Sequence, residues 1–374
     1  MTTCDIVSIT GYSSSGEGVA RLDNGCVVFV RGAARGDICK IAIVSERPRS
    51  CRAEITEILQ PSEHRIKPDC PAYPMCGGCN FRHITYEEEL RAKLRRVNDA
   101  FERIGGITIR VEEIITANQI NGYRNKAVLH TARQGDKTII GFYRSGSHKV
   151  CPITRCLLLQ DELNETLSRL WKEPLQGGKT LTLRAGYDDI RATAEEELDG
   201  LVFQISDTSF FQVNNRAALL LYQKAREYAA LSESGILVDL YCGVGSLTLF
   251  IGRDAGAALG VEKNPAAVDD ARINARRNGL KHVNFICADT AEWDAGRMRP
   301  DCVVVDPPRN GLSAGAVRSM QKMSPARIVY ISCDPATLAR DIGLLQDYEP
   351  VRICAADMFP RTANVECCLL LCRK

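Results

Sequence analysis

The chain has 374 residues, 45% of them hydrophobic and 25% charged, with 17 cysteines and a formal net charge of +2. That length exceeds one ordinary compact core and predicts two or three domains, while no apolar run approaches the roughly 18–20 residues of a membrane span, which excludes a membrane partner. Met1 to Thr10 carries neither a basic segment nor a long apolar stretch, so a secretory signal is excluded and a cytoplasmic protein expected; a disulfide framework is then unexpected, leaving the cysteines to metal ligation, catalysis or small buried positions.

Residues 3–59 alternate apolar and polar positions in short stretches broken by glycine: Ile6-Val7, Val19 to Leu22, Val27 to Val30 and Ile38 to Val44. Asn24-Gly25 is a hairpin signal, because the tight turn needs φ > 0 at its centre. The pattern predicts a five-stranded small β-barrel (OB-like) over residues 1–59, a shape that often binds single-stranded nucleic acid and elsewhere serves only as an interaction module. In its Gly16-Glu17-Gly18-Val19-Ala20 step and its Arg31-Gly32…Gly36-Asp37 turn the segment resembles a TRAM domain, which implies RNA binding.

Pro61 to Pro74 is proline-broken and leads into Cys70-x5-Cys76-Gly77-Gly78-Cys79, three thiols within ten residues and glycines that permit a tight wrap. A fourth ligand would come from elsewhere, with Cys156 and Cys151 the candidates. Three-plus-one cysteine ligation suits a [4Fe–4S] cluster, whereas structural zinc more often takes paired Cys-x2-Cys knuckles; spacing alone leaves either metal, or none, open. Thr85 to Ile104 reads as an amphipathic helix, with Thr85 and Glu88 as a capping box, Leu90, Leu94, Val97, Phe101 and Ile104 on one face and Gly105 as the stop. Residues 61–149 hold fifteen Lys and Arg against ten Asp and Glu, compatible with phosphate contacts and equally with a solvated surface. Residues 123–205 alternate short strands and polar turns without a clear assignment. Residues 60–208 are expected to form a central α+β domain, with helix 86–104 free to pack on the C-terminal domain.

From Ile236 onward the pattern changes. Strands at Ile236 to Leu240, Ala258 to Glu262, Val283 to Cys287, Cys302 to Asp306 and Arg327 to Ser332 are separated by helical stretches, the signature of a doubly wound, Rossmann-like α/β sheet over residues 209–374. Asp239-Leu240-Tyr241-Cys242-Gly243-Val244-Gly245 follows the first strand and leads into a helix at Ser246 to Ile251; its glycines let backbone approach a ligand. Glu262 ends the next strand, where a carboxylate can accept both ribose hydroxyls, and Asp289 closes the third, where an adenine would sit. Asn264 and Pro265 start the following helix as cap and first residue, and Gly279 stops it. A nicotinamide site competes, but its fingerprint needs a third glycine where Thr248 stands. The set favours S-adenosylmethionine.

Two further groups fall at later strand ends. Asp306-Pro307-Pro308-Arg309 holds a carboxylate at a rigid tip, and Arg309 stands where amino-methyltransferases carry a stacking aromatic, which argues against amino-group methylation. Ser332-Cys333-Asp334-Pro335 is a strand end followed by a helix start, a setting expected to lower the Cys333 thiol pKa. Taken singly, Cys333 reads as well as a buried structural cysteine, and Glu366 as a solvated carboxylate. Cys302 and Cys367 lie in apolar runs and read as small core residues.

Together with Phe210-Phe211-Gln212-Val213-Asn214 and Met358-Phe359-Pro360-Arg361-Thr362, these motifs occur in the order of the RNA uridine-5-methyltransferase family, which the chain resembles over most of Phe210 to Glu366. The resemblance implies a cofactor and base pocket of Gln212, Tyr241, Ser246, Glu262, Asp289 and Asp306, a nucleophile at Cys333 and a proton acceptor at Glu366. It also implies a [4Fe–4S] cluster on Cys70, Cys76, Cys79 and, by its distance from Gly141-Phe142, Cys156. Carbon 5 of uracil is too weak a nucleophile to attack a sulfonium methyl; thiolate addition at carbon 6 makes it an enolate, and a base must later remove the carbon 5 proton. Cytosine-5 methylation also uses a thiolate but needs a carboxylate beside the exocyclic amine, which the flanking residues do not supply. Barrel plus cysteine cluster is similar to the ribosomal RNA branch of the family, so ribosomal RNA is the expected partner; transfer RNA, or a non-catalytic RNA-binding iron–sulfur protein, are the alternatives. One departure is Asn364, where many members carry histidine. The pattern fixes no oligomeric state, and a monomer is the default.

Overall fold

The computed structural model describes residues 4–188 and 193–374, so Met1 to Thr3 of the N-terminal stretch and residues 189–192 of the unassigned stretch lie outside the described residues. Strands Cys4–Ser8, Gly11–Tyr12, Gly18–Arg21, Val27–Val30, Ile38–Arg47 and Ser50–Gln60 form one six-stranded sheet, one strand more than expected because Gly11–Tyr12 adds a short edge piece. Their inward positions, among them Val7, Ala20, Val28, Val30, Cys39, Ile41 and Ala53, bury a single core inside the small barrel. Buried Asp37 ties it to the next segment, accepting from Ala34 N at 2.6 Å and Ser62 N at 2.8 Å and pairing with Arg65.

The expected amphipathic helix runs over Tyr86–Ala100 and continues as a π-helical turn, Phe101–Gly105, with Gly106 as the left-handed stop. The wider turn rotates the last residues off the apolar face, which is why Phe101 is buried while Ile104 stays 54% exposed. Thr85 caps the helix, accepting from Glu88 N at 3.3 Å, but the reciprocal half of the capping box is absent: both Glu88 carboxylate oxygens accept from Arg35 at 2.7 Å. Residues 123–205, unassigned by pattern, hold a four-stranded sheet (Val150–Pro152, Lys137–Tyr143, Lys126–Gln134, Thr180–Arg184), the helix Asp161–Leu170, and most of a three-stranded sheet that ends at Leu201–Ser206. The helix covers one face of the four-stranded sheet, Leu163 and Leu167 packing with Ala127, Leu129 and Ile140.

The largest sheet has eight strands in the order Val283–Cys287, Ala257–Glu262, Ile236–Leu240, Cys302–Val305, Arg327–Ser332, Glu366–Arg373, Tyr348–Ala356, Ile114–Ile115. The first five run parallel, Glu366–Arg373 is antiparallel to both neighbours, and Ile114–Ile115 adds parallel to Tyr348–Ala356. Helices Asn215–Ala229, Ser246–Gly252 and Pro265–Arg277 pack on one face. Ala314–Met323, Pro335–Ile342 and Val97 and Phe101 of the earlier helix pack on the other, so the sheet is doubly wound. Chain order reverses at Ile236–Leu240, and the crevice beyond the carboxyl ends of such strands is where this fold binds ligands. Among the described residues, no helix is long and apolar enough to cross a membrane.

Candidate active site

At the switch point the backbone after Leu240 turns sharply. Tyr241, Gly243 and Gly245 all take positive φ, at 69°, 54° and 79°, and a Cβ on Gly243 would meet nothing within 4 Å, so this turn borders open space. Gly245 is closed off by contrast: its Cβ would lie 2.7 Å from the Phe285 ring. Both oxygens of Glu262 are oriented by backbone donors, Gly243 N at 3.2 Å and Asn264 N at 2.8 Å. Asn264 caps the next helix as expected, and Gly279 follows its end at φ 70°. Ser246 Oγ meets Tyr222 OH at 3.0 Å, the Gln212 side chain also reaches Tyr222, and Tyr241 OH lies 3.5 Å from Ser313 Oγ. Asp289 lies two residues past its strand, exposed, accepting from Ala291 N at 2.8 Å. Gln212, Tyr241, Ser246 and Glu262 therefore line or flank one turn, while Asp289 stands at the outer end of the same edge.

The second group sits one strand pair further along. Cys333 follows Arg327–Ser332 and Glu366 begins the antiparallel Glu366–Arg373; Ser332 pairs with Cys367, so Cys333 and Glu366 are the next residues along the two strand ends. Asp306 follows Cys302–Val305, the neighbour on the other side of Arg327–Ser332. Asp334 caps Pro335–Ile342, accepting from Ala336 N and Thr337 N at 2.9 and 3.0 Å. The thiol, however, is not lowered: burial pushes Cys333 up to about 11, the Glu366 and Asp306 carboxyls add to the rise, and Arg309, hydrogen-bonded to the sulfur, only opposes it. Desolvation and two nearby carboxyls outweigh the eight-residue helix behind the sulfur. Glu366 is 6% exposed, which rules out a solvated carboxylate, and burial, then Asp306, lift its pKa far above the ordinary range. Burial alone raises Asp306 to about 7.

Cys70, Cys76, Cys79 and Cys156, all half-buried and free, line one cavity of about 250 Å³ together with Arg82, Arg124 and Phe142. Two of the sulfurs accept N–H donors, Cys76 from Gly78 N and Cys79 from Arg82 Nε, each at 3.4 Å. Burial raises Cys76 to about 12 and Cys79 to about 11. Cys151 is 1% exposed and sits in the apolar cluster under the sheet. Among the described residues no three His, Cys, Asp or Glu side chains are grouped closely enough to hold a metal ion. Cys302 and Cys367 are fully buried core residues.

Three family models match the chain: the tRNA (Uracil-5-)-methyltransferase family over residues 292–374, the TRAM domain over 6–56, and the methyltransferase small domain over 212–325. An uncharacterized RNA methyltransferase of Clostridium tetani is 31% identical, covering 97% of this chain and 95% of its own, and one of Caldanaerobacter subterraneus is 32% identical, covering 96% of each. The crystal structure of Pyrococcus abyssi tRNA (uracil-54, C5)-methyltransferase in complex with S-adenosyl-L-homocysteine superposes with a TM-score of 0.77 at 25% identity, covering 99% of this chain and 100% of that one. The chain belongs to the RNA uracil-5-methyltransferase family. It is an S-adenosylmethionine-dependent RNA methyltransferase with an N-terminal TRAM domain.

Two features of this methyltransferase are not visible in the sequence pattern. Asp239, which reads there only as part of a glycine motif, is 1% exposed; burial raises it to about 8, Thr248 Oγ1 donates to one oxygen at 2.6 Å, and the other oxygen has no partner in the protein. An orphaned buried carboxyl beside the open turn fits a cationic ligand group. The second is a buried charge network under the loop that leads to Glu366. Lys93 Nζ donates to Glu89 at 2.6 Å, Asp357 at 2.7 Å and Phe359 O at 3.2 Å, and Tyr86 OH donates to Asp357 at 2.7 Å. Arg361, at φ 68°, is held by Glu89 and by Ile84 O, and its carbonyl accepts from Asn80 N and Phe81 N. Charged residues on the buried face of a helix carry no periodicity signal, so nothing in the pattern of residues 86–100 marked Lys93. Asn364, the departure from the family pattern, is half-buried at the end of this loop.

Proposed function

We propose that the protein methylates carbon 5 of a uridine in RNA through covalent catalysis by Cys333, with Glu366 as the proton acceptor. The observation that carries this reading is the pairing of Cys333 and Glu366 at adjacent strand ends, beside Asp306, over the glycine turn. S-adenosylmethionine supplies an electrophilic methyl group when bound. Gln212, Tyr241, Ser246, Glu262 and Asp289, with Asp239 added, would hold it, and Asp306, near Asp239 on one side and Cys333 and Glu366 on the other, would stand between that set and the base. Cys333 sulfur adds to carbon 6 of a uridine turned out of its stack, as a base must be for chemistry on it. Carbon 5, now an enolate carbon, would take the methyl group as the sulfonium–methyl bond breaks to leave S-adenosylhomocysteine; Glu366 then removes the proton from carbon 5, and the carbon 6–sulfur bond breaks to return the thiolate. The raised pKa makes Glu366 a stronger base in its ionised form, the form that must be present before it takes the carbon 5 proton. Cys333→Ala should abolish methyl transfer to RNA with S-adenosylhomocysteine affinity unchanged, and Glu366→Gln should accumulate a denaturation-resistant protein–RNA adduct. Full activity in Cys333→Ala overturns the mechanism.

The cysteine cavity supports a [4Fe–4S] cluster on Cys70, Cys76, Cys79 and Cys156. Each cysteine of such a cluster binds a separate iron, so the sulfurs must surround a cavity rather than converge on one point, as zinc requires, and N–H donors aimed at two sulfurs suit thiolate ligands. The residues fit the group, whose place here would be structural, joining residues 70–79 to Cys156.

Ribosomal RNA in the cytoplasm remains the proposed substrate, on the combination of TRAM barrel and cysteine cluster. The Pyrococcus abyssi enzyme, named for tRNA uracil 54, matches this architecture along its whole length, which favours transfer RNA as the second reading. Mapping 5-methyluridine by mass spectrometry in ribosomal and transfer RNA, with and without the gene, decides between them.

A further inference from the structure

The four-stranded sheet has one face covered by the helix Asp161–Leu170 and a second face that is open at Val128, Thr180 and Thr182, all exposed. By the register His130↔Thr180 and Val128↔Thr182, the second face presents Val128, His130, Thr180 and Thr182 side by side, with half-buried Lys126 at one end next to buried Arg184 and Tyr143 on the adjoining strand. Its aromatic groups are stacked: the His130 and Tyr143 ring centroids lie 3.7 Å apart at 8°, and His148 meets Tyr143 edge-on at 5.2 Å. The His130 Nδ1 is 3.2 Å from Thr180 Oγ1, which fixes the ring. Lys126 is the cation at the end of this face, and Val128, 43% exposed, is a large apolar group on it. Such a surface is too polar for a stable protein interface and has the parts of a single-strand platform, ring faces for bases with a cation and hydroxyls for phosphates.

The face also connects to the reaction centre. Asn125, the residue before Lys126, donates to Gln212 O at 3.2 Å and Val213 O at 3.0 Å, so the strand leaves directly from the Gln212 wall of the pocket. From Lys126 to His130 is about 13 Å of strand, room for a few nucleotides. We infer that this face is the landing strip for the RNA strand flanking the target uridine, with a flanking base stacked on the His130–Tyr143 pair. The inference rests on RNA being the substrate and is independent of the Cys333 mechanism.

The test uses the full-length protein and a fluorescein-labelled, uridine-rich single-stranded RNA of ~12 nucleotides, followed by anisotropy. His130→Ala/Tyr143→Ala should weaken binding by about five- to a hundredfold, the loss expected for one stacked base, while S-adenosylhomocysteine affinity, measured by calorimetry, stays at the wild-type value. The same RNA carrying 5-iodouridine should crosslink to peptides within residues 126–149. Unchanged affinity in the double variant, or crosslinks confined to the TRAM barrel, overturns the platform. Crosslinks to these peptides from a protein that forms no 5-methyluridine would leave the platform standing and refute the proposed reaction; methylation by a double variant of unaltered RNA affinity would do the reverse.

Discussion

Lys93→Met removes the ammonium from the buried network and keeps most of the stem. In the wild type all three charged side chains, Lys93, Glu89 and Asp357, are shut off from solvent, and Lys93 is the cation in hydrogen-bond contact with both carboxylates. Arg361 Nη1 lies 3.8 Å from Glu89, too far to replace it, and Tyr86 satisfies only one Asp357 oxygen. Breaking a buried pair by removing one partner costs about 3–5 kcal/mol, because a charge is left without compensation. At about 2.1 cal/mol/K per residue the unfolding entropy of 374 residues is about 0.8 kcal/mol/K, so the thermal midpoint should fall by roughly 4–6 °C. Differential scanning calorimetry on Lys93→Met, Glu89→Gln and the double variant checks this. The double variant should be more stable than the sum of the single losses implies, since neutralising Glu89 removes one orphaned charge. A midpoint within about 2 °C of wild type for Lys93→Met would refute the reasoning and show that water or a proton compensates the carboxylates.

The titrating groups and the cysteines give three further outcomes. With Cys333 near 11, about one thiol in a thousand is ionised at pH 8, so iodoacetamide labelling of Cys333 in the free protein, read by peptide mass spectrometry, should be slow and rise about tenfold per pH unit towards pH 11; a plateau near pH 8 would contradict the burial effect. Asp306 and Asp239, raised to about 7 and 8, gain negative charge as pH rises, so S-adenosylmethionine, which carries a sulfonium cation, should bind more tightly from pH 6 to pH 9, with a smaller gain for uncharged-sulfur S-adenosylhomocysteine. Equal pH slopes for the two ligands, measured by calorimetry, would remove these carboxyls from the cofactor site. Cys156→Ser should abolish the visible charge-transfer absorption of anaerobically purified protein and Cys151→Ser should keep it; the opposite result would reassign the fourth ligand.

The parallel strands were legible because fully buried strands read as short apolar runs bounded by turn residues, and Ile236–Leu240 and Arg327–Ser332 appear where the pattern put them. Strand ends drifted by one residue: Asp306 falls just beyond its strand, which ends at Val305, and the second strand begins at Ala257 rather than Ala258, while Val283–Cys287 appears with its expected bounds. The helix Asp161–Leu170 was not legible, since its ten residues bury only Leu163, Asn164 and Leu167. The proposed catalytic residues are picked out by motifs, but their ionisation is not. A helix start suggested a lowered Cys333, and only the three-dimensional placement of Glu366 and Asp306 beside it reverses the sign.

The same long-range logic bears on what folds by itself. Sequence composition divides the chain near 208/209, yet the loop before Glu366 has its partners on the other side of that line: Lys93 and Tyr86 on Asp357, Glu89 and Ile84 on Arg361, Asn80 on Arg361 and Ala363. Val97 and Phe101 fill the second core of the large sheet, and Ile114–Ile115 covers its edge. A fragment of residues 209–374 therefore keeps every proposed catalytic and cofactor residue and loses the groups that neutralise Asp357 and hold Arg361 at positive φ. It should aggregate or bind a hydrophobic dye and fail to bind S-adenosylhomocysteine, while the full chain stays monodisperse and binds it. A monodisperse fragment with full-length affinity would show that the network is dispensable for the pocket. Cys79 is one residue from Asn80, so the cysteine cavity and the loop before Glu366 share one short stretch of chain, and order in one constrains the other.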